Sequence, residues 1–325
     1  MKKICLYLTT LALLSVLVVG CSEEKLNPNS VIPDPILTEN AFDRWLYANF
    51  VQPYNVQIEY RLVCNDVPLS YNLTPAEIER SVSLAQVMRF MVLEAYDTVT
   101  GSKDFNWGNF PKFINFVGSG AYNNNGTVIL GTAEDGIKVI LYRVNLWNPN
   151  LSAVTHNSFY PMTDGGIRFF STIHHELAHI LHQRKPYTPD FREISKLNYT
   201  FDDWNSNVNT LPVARRNGFI SRYASSNDRE DFVEIFAHFI MTTQAWWDAA
   251  LESARVPNPV WTPTSPATVA RYLDTSGADA IEAKLGIVQR YMQSEWGIDM
   301  IALRAEIGRR IALLPSMNFR TFNQL

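Results

Sequence analysis

Two histidines and a glutamate stand at a spacing that could hold and use a metal ion. His175, Glu176 and His179 read as HExxH within the stretch Phe169–Gln183. Because helix positions four apart lie on the same face, the two imidazoles can bind one zinc ion. Glu176, one position further round the helix, can act as general base toward a water activated by that ion. The spacing therefore predicts a catalytic zinc site on a helix.

The residues between and around these groups must form the helix that positions them. The apolar positions Ile173, Leu177, Ile180 and Leu181 give the stretch a side that can be buried. The segment Arg184-Lys185-Pro186 supplies basic residues and then a proline, which is typical of a helix C-terminus. The pattern predicts a buried amphipathic helix that ends near Pro186.

A catalytic zinc ion takes three protein ligands and keeps a fourth position for water, so one ligand is still missing. His182 lies roughly 10.5 Å along the helix axis from His175, too far to converge on the same ion. His174 points to a different side of the helix, and no Gly-x-x-His sequence continues after His179. The third ligand is therefore expected from another element.

The best source is a second predicted helix, Asp228–Ala254, which carries Glu230 and Glu234 one turn apart. Glu230 can give a carboxylate oxygen to zinc, and Glu234 can accept the outer N–H of His175 and fix its orientation. The alternative is that Glu230 only completes a capping box that begins at Asn227.

The rest of the chain predicts an α+β protein. Alternating or β-branched runs predict strands at Val56–Cys64, Phe113–Val117, Thr127–Leu130 and Ile137–Val144, with Asn125-Gly126 as a hairpin turn between the second and third. Thr74-Pro75-Ala76-Glu77 is predicted to open a helix as a capping box. Further helices are expected at Thr38–Phe50, Ser276–Trp296 and Ile298–Leu314, and Pro186–Gly218 is expected to be an irregular connection beside the cleft.

The N-terminus has the features of a bacterial export signal. Lys2 and Lys3 precede an apolar run, Leu6–Val19, that is short for a membrane span, and Val18-Val19-Gly20-Cys21 resembles a lipobox. The predicted organisation is a signal peptide over residues 1–20, a lipidated tether over 21–37 that starts at Cys21, and a domain over 38–325. Within that domain a sheet-bearing half is expected over about 38–185 and a helical half over about 186–325. A plain secretory signal with an incidental cysteine is the alternative.

The composition gives no indication of nucleic-acid binding or of a disulfide. The chain has 325 residues, 18% of them charged, and a formal net charge of -4, with no basic block of the kind that binds nucleic acid. Only Cys64 remains in the mature chain beside the acylated Cys21, so an intramolecular disulfide is not expected, and Cys64 is interpreted as a buried apolar residue.

These motifs together resemble a known group. Tyr223, then Glu230 and Glu234 in Glu-Asp-Phe-Val-Glu-Ile-Phe, are similar to the second half of the gluzincin active site of anthrax lethal factor. With the lipobox and His-Glu-Leu-Ala-His-Ile-Leu-His-Gln, the wider chain resembles Bacteroidetes zinc-binding metallopeptidase lipoproteins associated with outer-membrane substrate importers. The resemblance implies a zincin-like fold in which a small mixed sheet, with its edge strand along the cleft, precedes the HExxH helix. It also implies His175, His179 and Glu230 as zinc ligands, Glu176 as base and Tyr223 as hydroxyl donor to the oxyanion.

Three functions remain open at this point. The leading expectation is a zinc metallopeptidase that acts on peptides or proteins and is anchored in the outer membrane by its lipid. It is expected to face the cell surface, with a periplasm-facing position as the alternative, and to work beside an importer. The second is a zinc amidase acting on non-protein amides with the same groups. The third is an accessory lipoprotein that binds zinc without turnover and assists glycan or peptide import.

Overall fold

The structure covers most of the chain after the predicted tether. It is a computed structural model that describes residues 40–63, 67–68, 70–123, 128–129, 131–134, 137–159 and 169–321. The predictions for the signal peptide, the tether, Cys21, Cys64 and Asn125-Gly126 lie outside these residues. None of the helices in the described part of the chain has both the length and the apolar character needed to span a bilayer.

A small mixed sheet precedes the HExxH helix in the chain. The strands of the described residues are β1 (Gln57–Glu59), β2 (Phe113–Phe116), β3 (Ala121–Tyr122), β4 (Val128–Ile129), β5 (Gly131–Glu134), β6 (Lys138–Leu141), β7 (Val256–Pro257) and β8 (Tyr272–Asp274). The order of the sheet is β1-β2-β6-β5, with β1, β2 and β6 parallel and β5 antiparallel at the end of the sheet. The buried run of Ile114, Asn115 and Phe116 in β2 suits a parallel strand covered on both faces.

Helices make up most of the remaining described structure, which confirms a mixed α and β fold with small sheets. The α-helices are α1 (Ala41–Leu46), α2 (Gln52–Tyr54), α3 (Ile78–Met88), α4 (Glu94–Thr100), α5 (Asp104–Asn109), α6 (His156–Phe159), α7 (Phe169–Arg184), α8 (Asp190–Ile194), α9 (Leu211–Arg216), α10 (Asp228–Met241), α11 (Gln244–Ser253), α12 (Ser276–Trp296) and α13 (Met300–Leu313). Single π-helical turns join α1 to α2 (Tyr47–Val51) and α3 to α4 (Arg89–Leu93). Short 3-10 turns lie at Val144–Leu146, Phe201–Asn205, Tyr223–Ser225 and Leu314–Ser316.

Helices α7 and α10 form the central pair that carries the candidate site. Ile173, Leu177 and Leu181 on α7 are almost fully buried, as are the aromatic residues Phe232 and Phe236 on α10. Helix α10 also packs against α12 and α13, and β5 packs against α7. Burial on several sides makes this pair a rigid platform, because close-packed side chains leave little room for movement.

The sheet approaches α7 closely at one glycine. A Cβ added to Gly131, the first residue of β5, would lie 2.4 Å from Cγ2 of Thr172 on α7. The absence of a side chain therefore lets the end strand of the sheet lie directly against the helix that carries HExxH.

The predicted second helix, Asp228–Ala254, is wrong as a single element. It ends at Met241, where the carbonyl of His238 accepts hydrogen bonds from the backbone N–H of Thr242 at 3.1 Å and from its hydroxyl at 2.7 Å. Thr243 then caps α11 by accepting a hydrogen bond from the N–H of Trp246 at 3.1 Å. Two adjacent threonines thus end one helix and start another, since their hydroxyls compete for backbone groups.

The capping box predicted at Thr74-Pro75-Ala76-Glu77 is also wrong. Helix α3 begins at Ile78 with Glu77 in an extended conformation before it. The Thr74 carbonyl accepts a hydrogen bond from Gly118 at 2.8 Å, and Pro75 forms a β-bridge with Val117. This pairing keeps residues 74–75 extended, so the helix starts about one turn later than predicted.

Strand lengths and partners also differ from the predictions. Of the predicted strand Val56–Cys64, β1 covers Gln57–Glu59, and the side chains of the next two residues, Tyr60 and Arg61, hydrogen-bond Asp43 on α1. Phe113–Phe116 pairs in parallel with β1 and β6 instead of entering the predicted hairpin. The antiparallel partner of Val128–Ile129 is β3. The predicted helical half contains the additional ribbon β7–β8.

Candidate metal centre

One side chain from α10 meets two from α7 at the centre of the site. Glu230 Oε2 lies 3.1 Å from His175 Nε2 and 3.2 Å from His179 Nε2. The three potential ligand atoms all lie within 4.8 Å of one another. The four-residue spacing of the histidines puts both rings on the α10 side of α7, where the first turn of α10 presents Glu230. Asn227 fixes the start of α10, because its Oδ1 accepts hydrogen bonds from the backbone N–H groups of Arg229 and Glu230.

The spacing of these atoms suits a small divalent ion. Zinc binds imidazole nitrogen and carboxylate oxygen at about 2.0–2.2 Å, and a tetrahedral arrangement then separates neighbouring ligand atoms by roughly 3.3 Å. The two His–Glu distances are close to this value. Two nitrogens and one oxygen are also the donor set of catalytic zinc sites that keep one position open. The donors present therefore fit zinc in their chemistry, and both separations from the Glu230 oxygen suit its coordination shell.

His175 is oriented by a carboxylate behind it. Its Nδ1–H donates to Glu234 Oε1 at 2.9 Å, so a neutral His175 would carry its lone pair on Nε2, the nitrogen that faces Glu230. The other carboxylate oxygen of Glu234 accepts from the Ser221 hydroxyl at 2.5 Å. His238, 4% exposed, lies against the same carboxylate with its Nδ1 3.6 Å from Oε2. The Glu234 side chain is thereby held on the outer side of His175.

The two other histidines of α7 have separate surroundings. His182 Nε2 lies 3.0 Å from His179 Nδ1, on the side away from Glu230. His174 is fully buried on another face, where its Nδ1 lies 3.0 Å from the Tyr96 hydroxyl. Neither belongs to the set of three ligand atoms, in agreement with the helix geometry.

The charges of the cluster favour a cation at its centre. Burial would raise the pKa of Glu230, but its contacts with His175 and His179 outweigh burial and hold that pKa well below its usual range. Burial would likewise raise the pKa of Glu234, yet His238, His175 and Ser221 lower it to about 2. Burial lowers the pKa of His175, and its hydrogen bonds to Glu230 and Glu234 reverse this and raise it well above 6.5. Two ionised carboxylates therefore surround a position where either a proton or a metal ion can supply positive charge.

A cleft of about 300 Å³ opens beside this cluster. Its lining includes Glu176 from α7, Gly131 from β5, and Tyr223 and Trp204 from the 3-10 turns. The Tyr223 ring stacks on His175 with centroids 6.0 Å apart, and Trp204 meets Tyr223 edge-on at 5.0 Å. Burial and the nearby carboxylates of Glu230, Glu234 and Glu176 raise the pKa of Tyr223, so its hydroxyl stays protonated and can donate.

Every predicted site residue of the domain lies at this cluster or its cleft, whereas several neighbours were not predicted. Ser221 and Trp204 belong to segments that carry no motif, and only their folded positions bring them to the site, whereas His238 lies one helical turn after Glu234 on α10. His182 was considered only as a metal ligand. A histidine three positions after a ligand histidine was the available signal for its contact with His179.

The chain is similar to proteins described as metallopeptidases. Residues 36–301 match the model of a family described as "Putative zinc-binding metallo-peptidase". A crystal structure titled as a putative zinc-binding metallo-peptidase from Bacteroides caccae ATCC 43185 shares 34% sequence identity and a TM-score of 0.66. That similarity covers 86% of this chain and 95% of the Bacteroides chain. No curated protein matches the chain.

Proposed function

Because the chain belongs to the family of putative zinc-binding metallo-peptidases, we propose that it hydrolyses peptide bonds with a gluzincin-type zinc site. In this proposal His175, His179 and Glu230 hold the ion. The observation that carries it is the meeting of one ligand atom from each of these residues within 4.8 Å, beside a cleft that Glu176 also lines. The order Tyr223, Glu230, Glu234 supports the further similarity to the lethal factor active site.

Each remaining side chain has a defined task in the proposed reaction. Zinc, when bound, supplies a Lewis acid that polarises the scissile carbonyl and makes water acidic. Glu176 removes a proton from the attacking water and passes it to the leaving amine, as general base and then general acid. The Tyr223 hydroxyl donates a hydrogen bond to the oxyanion that develops on the former carbonyl oxygen. Glu234 keeps the lone pair of His175 Nε2 directed at the centre.

The sheet offers a place for an extended substrate. Strand β5 ends the sheet and its Gly131 lines the cleft. A peptide that adds to this edge by main-chain hydrogen bonds would pass the reactive groups of α7. This arrangement favours peptides over compact amides as substrates.

The lipid anchor and the importer association remain part of the proposal and depend on the sequence alone. The lipobox-like Val18-Val19-Gly20-Cys21 supports acylation at Cys21, and the acidic Ser22-Glu23-Glu24 that follows supports an outer-membrane, surface-facing location. Replacing Cys21 by alanine is expected to move the protein from the membrane fraction to the soluble fraction. Unchanged membrane attachment of that variant would contradict the anchor.

A chelation experiment tests the catalytic proposal. The purified protein is incubated with a broad peptide library, with and without a chelator, and zinc is then restored. We expect cleavage that the chelator abolishes and one equivalent of zinc recovers. Glu176→Gln should bind zinc normally and lose cleavage by about 10²–10⁴-fold, the usual contribution of a general base.

Three outcomes would reject the proposal. Cleavage that persists under chelation, or full activity of Glu176→Gln, would remove the mechanism. Equimolar zinc without cleavage of any peptide would indicate the accessory zinc-binding function instead.

A further inference from the structure

The second ligand histidine is supported by another histidine rather than by a carboxylate. His179 Nδ1 and His182 Nε2 lie 3.0 Å apart, a hydrogen-bond distance, within helix α7. His175, by contrast, donates its Nδ1–H to the ionised carboxylate of Glu234. A carboxylate can only accept, whereas a neutral imidazole nitrogen can either donate or accept. The tautomer of His179 is therefore decided jointly with that of His182.

Only one of the two proton arrangements leaves His179 able to bind a metal. If His182 Nε2 carries the proton, it donates to His179 Nδ1, and the neutral His179 then carries its own proton on Nε2. That proton occupies the lone pair that faces Glu230. If His182 instead carries its proton on Nδ1, its Nε2 accepts from His179 Nδ1–H, and His179 Nε2 has a free lone pair.

We propose that His182 is a positioning residue that accepts the Nδ1–H of His179 and so fixes the zinc-binding tautomer and ring orientation of that ligand. The inference rests on the proposed zinc site. In the His-x-x-His sequence of residues 179–182, His179 is then the zinc ligand, and His182 supports it and is not a second ligand.

The surroundings of His182 keep its ring in the position that this role needs. The side chain is 7% exposed, and its ring meets Tyr187 and Phe232 edge-on at centroid distances of 5.5 and 6.0 Å. Tyr187 and Phe232 stack on each other at 4.2 Å, and the Tyr187 hydroxyl donates to Asp228 at 2.9 Å. This aromatic enclosure holds the imidazole of His182 against His179 and shields the contact from water.

A pair of buried histidines on the same helix gives a matched test. His182→Leu removes the acceptor for His179, while His174→Leu removes a buried histidine that touches Tyr96 and no ligand. Zinc dissociation constants are measured by competition with a chromophoric chelator, so the readout does not depend on peptide turnover. We expect His182→Leu to weaken zinc binding by about 10–100-fold, the usual effect of losing the partner of a ligand histidine. His174→Leu should leave the dissociation constant unchanged.

Two further measurements separate positioning from mere packing. His182→Gln, whose amide oxygen can accept the same hydrogen, should recover most of the zinc affinity that the leucine variant loses. Long-range ¹H–¹⁵N spectra of the zinc-loaded wild-type protein should show His182 protonated on Nδ1 only. This signature is available even where His182→Leu fails to fold.

The outcomes distinguish this inference from the proposed function. A dissociation constant unchanged in His182→Leu, or a proton on His182 Nε2 in the zinc-loaded protein, would overturn the inference and leave the peptidase proposal standing. Tight zinc binding without hydrolysis by the wild-type protein would reject the peptidase proposal, and the role of His182 would still be decided by the affinities. A wild-type protein that binds no zinc would overturn both.

Discussion

A buried ion pair beside the site allows a quantitative prediction of stability. Lys284 Nζ on α12 lies 2.6 Å from Asp231 Oδ2 on α10, and both side chains are 0% exposed. Lys284 also donates to the Gly218 carbonyl at 2.7 Å, and the Tyr199 hydroxyl donates to Asp231 at 2.9 Å. Burial lowers the pKa of Lys284 and raises that of Asp231 to about 6, while each partner opposes the shift of the other. Each of the two side chains can therefore stay charged in the core only while the other is present.

Removing one member should cost much more than removing both. Asp231→Leu leaves a buried ammonium, and Lys284→Met leaves a buried carboxylate, each at a cost of about 3–5 kcal/mol. With an unfolding entropy of about 2.1 cal/mol/K per residue over roughly 285 residues, this corresponds to a Tm lower by about 5–8 °C. The double variant replaces the pair by apolar side chains of similar volume and should lie within about 2 kcal/mol of wild type.

Urea unfolding of the four proteins in a double-mutant cycle measures these differences. A coupling free energy of several kcal/mol between the two positions is expected, because each single variant leaves one buried charged side chain without its partner. If each single variant lowers the free energy of unfolding by less than about 1 kcal/mol, this reasoning is refuted. Such small losses are typical of ion pairs that are exposed to solvent. Wild-type urea m-values in all variants would show that the unfolding transition itself is unchanged.

Three further predictions concern the site and its helix. Tyr223→Phe should lower kcat by about 10²–10³-fold with little change in KM, because the proposed role of the hydroxyl is to donate to the oxyanion of the transition state; an equal kcat would contradict that role. Glu234→Gln should weaken zinc binding by roughly 10–100-fold in chelator competition, and unchanged affinity would show that His175 needs no anionic support. Burial lowers the pKa of His174 to about 3, whereas the unfolded chain takes up that proton near 6.5. The zinc-free protein should therefore lose stability as the pH falls from 6.5 toward 3, and His174→Leu should flatten this slope in urea unfolding at a series of pH values; an unchanged slope would argue against a neutral buried His174.

The parts of the site that lie on single helices could be predicted from the sequence. Periodicity alone places His175 and His179 on one face of α7, and the same rule places Glu230 and Glu234 one turn apart on α10. The cap at Asn227 was visible as well, yet it could not decide whether Glu230 serves the cap or the cluster. That decision depends on how α10 packs against α7, which is a tertiary property.

Groups that reach the site from irregular segments were beyond prediction. Ser221 and Trp204 lie in short turns, where no periodic pattern indicates direction, and their contacts join residues that are far apart in the sequence. The same limit applies to the sheet. The apolar run Phe113–Phe116 indicated a strand, but its parallel partners at β1 and β6 are set by long-range pairing rather than by the nearest turn signal.

The predicted end of the second helix was wrong because hydrogen bonds of the threonine side chains set the boundary there, and hydrophobic periodicity carries no information about them. Apolar spacing continues through Met241 into α11, so Asp228–Ala254 looked like one helix. Thr242 and Thr243 redirect backbone hydrogen bonds at the junction and create a new N-terminus. The two consecutive threonines are therefore the feature of the sequence that indicates this helix boundary.

Zinc-edge anomalous diffraction from crystals of the zinc-loaded protein tests the central claim most directly. The account predicts one strong peak bounded by Nε2 of His175, Nε2 of His179 and a carboxylate oxygen of Glu230. A peak at any other position, or no peak from protein loaded with equimolar zinc, would contradict it.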